Sequence, residues 1–251
     1  MVIKNKKLIV GSWINTASPV AAEIMSAAGF DFLVVDAEHS AVDISQAQSL
    51  FQAIKAGNPN CTTIIRLPGN QYSETKRYLD AGAMGVLVPL VNTMEEAEEV
   101  VRSVKYPPLG ERGVGFGRSH GYGFQFDEYM SRANDDIFIC IQIEHIRGVE
   151  NLDKILSVKG IDAVFIGPYD LTASMGITAQ FNHPKYLSTL NHILTKCKEF
   201  GVFAGIHVVQ PDPQSVNDRV KEGFSMIGYS LDITMLGQSC RDGLALIKKD
   251  L

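Results

Sequence analysis

No apolar run in the chain reaches the roughly 18 residues that a membrane-spanning helix needs. The N-terminus carries no signal-peptide hydrophobic region, because Leu8-Ile9-Val10 is followed at once by Gly11 and Ser12. Cysteine is scarce. Cys61, Cys140, Cys197 and Cys240 lie far apart and form no C-x-x-C pair, which suits a reducing cytoplasm and not a disulfide framework. Cys61 and Cys140 fall at or within apolar runs and are expected as buried thiols. Basic residues do not cluster beyond Lys4-Asn5-Lys6-Lys7, read as a solvated terminus, and the net charge is -5. Neither a nucleic acid nor a membrane is therefore expected as a partner. Linkers, low-complexity segments and composition shifts are also lacking. The 251 residues suit one α/β barrel or two small domains, and with nothing to cut them a single domain over 1–251 is expected.

What is there is a rhythm. Eight short apolar runs recur: Leu8–Trp13, Phe32–Asp36, Thr62–Leu67, Gly85–Leu90, Ile137–Glu144, Ala163–Gly167, Val202–Val209 and Ser225–Tyr229. They are nearly continuous in apolar character, as strands buried on both faces should be. Amphipathic stretches separate them, among them Ser18–Ala28, Ile44–Ala56, Ser73–Ala81, Met94–Val104, Asn151–Ser157, Pro184–Phe200 and Asp212–Glu222. Several close on a glycine suited to a left-handed C-cap, as at Gly201 and Gly223. Strand–helix alternation repeated eight times predicts an α/β fold, a parallel (β/α)8 barrel.

One segment breaks the pattern. Tyr106–Asp136 is far longer than the ~2–6 residues of an ordinary αβ loop. It holds Pro107-Pro108, six glycines from Gly110 to Gly123, and a short helical stretch near Phe126–Ala133. It is expected to climb toward the catalytic mouth and return, bringing Arg118, Ser119 and His120 near a site in this subunit or a neighbour. The competing reading is an oligomer-contact loop.

Barrel enzymes carry their chemistry at the C-terminal ends of the strands. Five predicted strand ends deliver ionisable groups to that rim: Asp36, Glu38 and His39; Arg66; Glu144 and His145; Asp170; and His207. Glu144 and Asp170 come from adjacent strands, and two carboxylates that close need a cation or a shared proton. An oxygen-rich pair with open positions suits Mg²⁺ or Mn²⁺. Otherwise Asp170 caps the helix after it and Glu144 pairs with Arg147. Asp36 and His39 read as a base beside a carboxylate. Arg66 suits a developing enolate oxygen or a substrate carboxylate, or else an ion pair with Asp36 or Glu38. Lysine is absent from every predicted strand end. Covalent imine catalysis is thereby disfavoured, and an aldolase on this frame needs a metal to polarise the carbonyl.

With these residues in view the chain resembles the HpcH/HpaI family of class II pyruvate aldolases over nearly its whole length. The carriers are Gly11-Ser12-Trp13, Val35-Asp36-Ala37-Glu38-His39, Arg66, Val88-Pro89, Tyr106-Pro107-Pro108 with Arg112-Gly113-Val114-Gly115, Gln142-Ile143-Glu144, and Phe165-Ile166-Gly167-Pro168-Tyr169-Asp170-Leu171. The resemblance implies a phosphoenolpyruvate/pyruvate-type barrel. It implies reversible cleavage of a 4-hydroxy-2-oxo acid to pyruvate and an aldehyde through a metal-stabilised enolate. Glu144 and Asp170 would hold a divalent ion (Mg²⁺, Mn²⁺ or Co²⁺), with no organic cofactor. Gln142 and the Tyr169–Asp170 backbone would contact the pyruvate half, Arg66 would stabilise the enolate, and His39 would be the general base. A carboxylate matching Asp80 would raise the basicity of His39, although the strand–helix reading puts Asp80 near the bottom of the fourth strand. The resemblance also implies a homo-oligomer, trimer or hexamer, with Thr234–Lys248 packed on a neighbour. His207, His145 and the Gly117–Gly123 stretch depart from the family's usual residues and are expected to face the aldehyde half. Two rival readings remain. One is an acyl-CoA lyase of the citramalyl- or malyl-CoA type, against which no basic patch for the CoA phosphates is visible. The other is a non-catalytic barrel that binds or assembles.

Overall fold

The computed structural model describes residues 3–249, and within them eight parallel strands close into a barrel in chain order. The first half runs β1 (Ile9–Ile14), α1 (Pro19–Ala27), β2 (Phe32–Asp36), α2 (Ile44–Gly57), β3 (Thr62–Arg66), α3 (Tyr72–Asp80), β4 (Gly85–Val88) and α4 (Met94–Val104). The second runs α5 (Phe126–Asp136), β5 (Phe138–Ile143), α6 (Ile146–Glu150), α7 (Leu152–Leu156), β6 (Ala163–Ile166), α8 (Pro168–Ser174), α9 (Pro184–Phe200), β7 (Phe203–Val208), α10 (Pro213–Glu222), β8 (Met226–Leu231) and α11 (Asp232–Lys249). β8 returns to β1, with a register shift between Gly11 and Trp13.

All eight expected strands are present. α6 and α8, each shorter than two turns, carry too little periodicity to be read in advance. The longer helices start where their side chains satisfy the free N–H groups. Asp43 and Gln46 form a capping box on α2, and Thr93 and Glu96 form one on α4. The expected glycine caps Gly201 and Gly223 adopt φ of 70° and 110° and close α9 and α10.

Alternate strand residues face inward, and this parity builds both the core and the site. The lower interior is filled by Ile9, Phe32, Val34, Ile64, Phe138, Cys140, Phe165 and Met226. The opposite parity, with Leu33, Val35, Ile65, Ile139, Ile141 and Ile227, packs against Leu50, Phe51, Leu79, Val100 and Ile193 of the surrounding helices. Two residues beyond the apolar interior the same inward parity reaches the rim. Val34 is followed by Asp36, Ile64 by Arg66, Cys140 by Gln142, Gly205 by His207, Gly228 by Ser230 and Gly11 by Trp13. Cys61 and Cys140 are buried thiols as expected.

The long segment after α4 corrects one expectation. It runs up along α3 as far as the side chain of that helix's first residue, where the Gly113 N–H donates to the Tyr72 hydroxyl at 3.0 Å. It then turns back to the N-terminal face. Arg118 lies against Gly82, just before β4. His120 is buried and folds the loop on itself: its Nδ1 accepts from the Gly123 N–H at 3.0 Å, and its Nε2 meets the Gly115 carbonyl at 2.7 Å. In this chain Arg118, Ser119 and His120 do not reach the mouth. The six glycines give the segment its turns, and the buried imidazole then fixes where it folds back.

Candidate active site at the mouth of the barrel

Asp36 organises the first side of the mouth. It is fully buried at the end of β2. Its Oδ1 accepts from Arg66 Nε at 2.9 Å, and its Oδ2 accepts from Arg66 Nη2 at 2.6 Å and from Asn15 Nδ2 at 2.9 Å. The backbone N–H groups of Glu38 and His39 also donate to Oδ1, at 3.1 and 3.2 Å. Burial alone would raise this carboxyl, but Arg66 and the two N–H groups outweigh it and hold the group below the usual carboxylate range. Asp36 thus holds the His39 backbone and does not meet its ring. The carboxylate beside the imidazole is Glu38, at 3.7 Å. The His39 side chain itself is 67% exposed, at the open edge.

Arg66 takes the ion-pair reading and still lines the central cavity. Its Nη1 lies 3.3 Å from Glu38, so Asp36 and Glu38 engage three of its five N–H groups. Donors on Nη1 and Nη2 remain for a ligand.

Glu144 organises the second side. It follows β5 and is buried. Its Oε1 accepts the Leu90 N–H at 2.8 Å, and its Oε2 accepts from Gln142 Nε2. It makes no pair with Arg147. Leu90 adopts φ 56° to deliver that N–H, a left-handed backbone that costs roughly 1–2 kcal/mol for a non-glycine residue. Burial pushes the Glu144 carboxyl up; its two hydrogen bonds pull it back and the Asp170 charge adds to the rise. Glu38 is raised as well, chiefly by burial, with Arg66 and His39 opposing and Glu144 and Asp36 contributing.

Asp170 stands in the first turn of α8 but does not cap it; Gly167 occupies the cap position. Among the described residues Asp170 has no hydrogen-bond or ion-pair partner. Gly167, which precedes this turn, lets its backbone lie close against Glu144. A Cβ there would sit 2.8 Å from Glu144 Cβ and 2.9 Å from Glu144 Oε2. The wall of β6 is therefore cut back to a bare backbone against the carboxylate.

Between the two sides lies a cavity of about 160 Å³, lined by Trp13, His39, Arg66, Gln142, Tyr169, Asp170 and His207 among others; Asp36, Glu38 and Glu144 stand behind Arg66 and Gln142. No lysine lines it. Four carboxylates, Asp36, Glu38, Glu144 and Asp170, stand against the single guanidinium of Arg66. The surplus of negative charge fits a divalent cation. Among the described residues no three metal-ligating side chains converge, so Glu144 and Asp170 would leave most coordination positions to water and substrate oxygens, as Mg²⁺ tolerates.

Asp80 is not brought to this mouth. It ends α3 near the N-terminal face and pairs with the buried Arg112 at 2.7 Å. His145 caps α6 through Nδ1, which accepts the Arg147 N–H at 3.1 Å. Trp13, Asn15, Ser230 and the Leu90 backbone belong to the site and had no site role in the sequence reading, where Trp13 appeared only as a carrier of the resemblance. Inward parity was the available signal for Trp13 and Ser230. For a backbone N–H no side-chain signal exists.

Residues 10–238 match the HpcH/HpaI aldolase/citrate lyase family model. The chain is 38% identical over 230 residues to a hydroxypyruvate/pyruvate aldolase of Roseobacter denitrificans, covering 91% of this chain and 88% of that protein. It is 36% identical to a 2-keto-3-deoxy-L-rhamnonate aldolase of Klebsiella pneumoniae, covering 96% and 89%. An HpcH/HpaI aldolase/citrate lyase family structure from Burkholderia cenocepacia superposes with a TM-score of 0.91 at 31% identity, covering 96% and 95%. The chain belongs to the HpcH/HpaI aldolase/citrate lyase family and is a carbon–carbon lyase of the aldolase type.

Proposed function

We propose that the chain uses a divalent ion (Mg²⁺, Mn²⁺ or Co²⁺), held by Glu144 and Asp170, to cleave a 4-hydroxy-2-oxo acid reversibly to pyruvate and an aldehyde. The observation that carries this reading is the charge imbalance at the mouth, where Asp36, Glu38, Glu144 and Asp170 interact with one another and with one arginine, Arg66, and Gly167 is cut back beside Glu144. The relatives' names, a hydroxypyruvate/pyruvate aldolase and a 2-keto-3-deoxy-L-rhamnonate aldolase, support a 2-oxo acid as substrate.

The ion, when bound, supplies Lewis-acid polarisation of the 2-keto oxygen. Gln142 and the Tyr169–Asp170 backbone orient the pyruvate half beside Glu144. His39 takes the proton of the 4-hydroxyl as the C3–C4 bond breaks. The bonding pair passes toward the 2-oxygen, where the free N–H groups of Arg66 meet the developing charge. The proton taken up by His39 is returned to C3, directly or through water, to give the methyl group of pyruvate, and the aldehyde leaves. Asp36 positions both Arg66 and His39, and Glu38 is the carboxylate beside the imidazole. Asp80 retains a part only through a neighbouring copy of the chain.

The same reading takes the barrel as one catalytic domain, cytoplasmic and assembled as a trimer or hexamer. Exposed Ile233, Leu236, Leu244, Leu246 and Ile247 along α11 support assembly. No helix among the described residues is long and apolar enough to cross a membrane.

The test is condensation of pyruvate with a panel of aldehydes in the presence of Mg²⁺, Mn²⁺ or Co²⁺. Formation of a 4-hydroxy-2-oxo acid, lost with EDTA, is expected. Activity that requires a coenzyme A thioester would favour the acyl-CoA lyase instead.

A further inference from the structure

His207 is held in place with unusual specificity. Its Nε2 meets the Ser230 carbonyl at 2.8 Å. A carbonyl can only accept, so Nε2 carries the hydrogen and Nδ1 presents a lone pair. Burial keeps the ring neutral, at about 4. Ser230 adopts φ 53° at this point in β8. The same carbonyl accepts from Ser12 Oγ at 3.1 Å, while Ser230 Oγ donates to the Val209 carbonyl at 3.0 Å. The imidazole stacks on Trp13 at 4.4 Å and 16°. Gly228 leaves room for the pair, since a Cβ there would lie 2.4 Å from the indole and 3.1 Å from the imidazole. Strained backbone on a buried non-glycine residue, aimed at one side chain, is the mark of a functional constraint.

Two polar atoms of this pair lack partners. The buried Trp13 Nε1 donates to nothing. His207 Nδ1 takes no hydrogen bond among the described residues. Both residues line the central cavity, and His207, with Tyr169, also lines an adjoining second cavity. The arginines lining these two cavities each sit in an ion pair. Arg66 is paired with Asp36 and Glu38, and Arg219 of the second cavity is paired with Glu222 at 2.7 Å.

We infer that His207 is a specificity-determining residue of this aldolase: its Nδ1 accepts a hydrogen bond from a hydroxyl on the aldehyde half, selecting neutral hydroxylated aldehydes over deoxy or carboxylated ones. The inference rests on the aldolase reading above. It adds which aldehydes enter and which atom reads them. Among the described residues that line the two cavities both arginines are ion-paired, which argues against a carboxylate on that half. An unpartnered acceptor in a confined site penalises an aldehyde that brings no hydroxyl.

The test compares matched aldehydes condensed with pyruvate: glycolaldehyde against acetaldehyde, glyceraldehyde against propionaldehyde, and succinic semialdehyde as the carboxylated case. The native enzyme should favour each hydroxylated member in kcat/KM by about tenfold or more, the loss expected when one such hydrogen bond goes unmade. His207→Leu should bring the ratio of each hydroxylated to deoxy pair near one; His207→Gln, which keeps an acceptor, should restore part of the preference. Trp13 is the chain's only tryptophan, so its emission reports on the subsite without turnover. Glycolaldehyde should change it in the native protein and acetaldehyde should not, a readout that holds even if the leucine variant folds poorly. An equal response to both, or a preference that survives His207→Leu, overturns the inference. Failure of the native enzyme to exchange the pyruvate methyl protons at all would instead overturn the aldolase reading. Exchange with a flat aldehyde profile would overturn only the role of His207.

Discussion

Asp36→Asn should unfold the mouth before it touches the chemistry. The native carboxylate takes two N–H groups of Arg66 at 2.9 and 2.6 Å, the Asn15 amide, and two backbone N–H groups that shape the turn into His39. An asparagine offers one acceptor oxygen in place of two and carries no charge. Arg66, whose side chain is 15% exposed, would keep only Glu38 at 3.3 Å. Breaking one side of a buried ion pair costs about 3–5 kcal/mol, and partial rescue by Glu38 argues for the lower end, about 3 kcal/mol. For a chain of this size that is a fall in Tm of roughly 6–12 °C. Urea unfolding followed by far-ultraviolet circular dichroism measures it, and an unchanged m-value shows that stability alone has moved. The pH dependence gives a second check. The folded Asp36 carboxyl lies below its ordinary value, so its contribution is present above about pH 4 and is lost as pH falls through the folded value. The native protein should therefore lose more stability than the variant on acidification from pH 5 to 3. A destabilisation under 1 kcal/mol at pH 7, or parallel acid curves, would refute the reasoning.

Two further outcomes follow from the same geometry. Gly167→Ala places a Cβ 2.9 Å from Glu144 Oε2, and backbone on one side and a tethered carboxylate on the other leave little room to yield; isothermal titration should show divalent-ion affinity falling at least about tenfold while circular dichroism stays native. Burial holds His207 near 4 against about 6.5 in the unfolded chain. The unfolded state therefore takes up a proton first as pH falls, and stability present above pH 6.5 declines toward pH 4 by at most about 3 kcal/mol. Urea midpoints at pH 7.5 and 5 should differ less for His207→Leu than for the native protein, and an equal difference would contradict the burial of a neutral ring.

The barrel was legible because its strands are continuous apolar runs and its helices are amphipathic, two periods that cannot be confused at these lengths. The rim was legible for the same reason: ionisable residues at apolar strand ends have few structural uses. Partnership within the rim was not. Asp36 and His39 are three residues apart, yet the turn between them spends the Asp36 oxygens on backbone N–H groups and leaves Glu38 beside the ring. That choice is made by local chain direction, which spacing does not encode. Leu90 entered the site through its N–H, and Ser230 through its carbonyl, in backbone conformations no side chain announces. The long glycine-rich segment misled because a loop's length says how far it can reach and not where it turns back. Buried His120 and the Asp80–Arg112 pair decide that.

The central claim is that Glu144 and Asp170 hold a divalent ion against the pyruvate half. Exchange of the pyruvate methyl protons with deuterated water, followed by proton NMR, tests it without any aldehyde. Exchange is expected to require Mg²⁺, Mn²⁺ or Co²⁺, to stop with EDTA, and to be lost in Glu144→Ala while that variant remains folded. Exchange that persists in both EDTA and Glu144→Ala would contradict it.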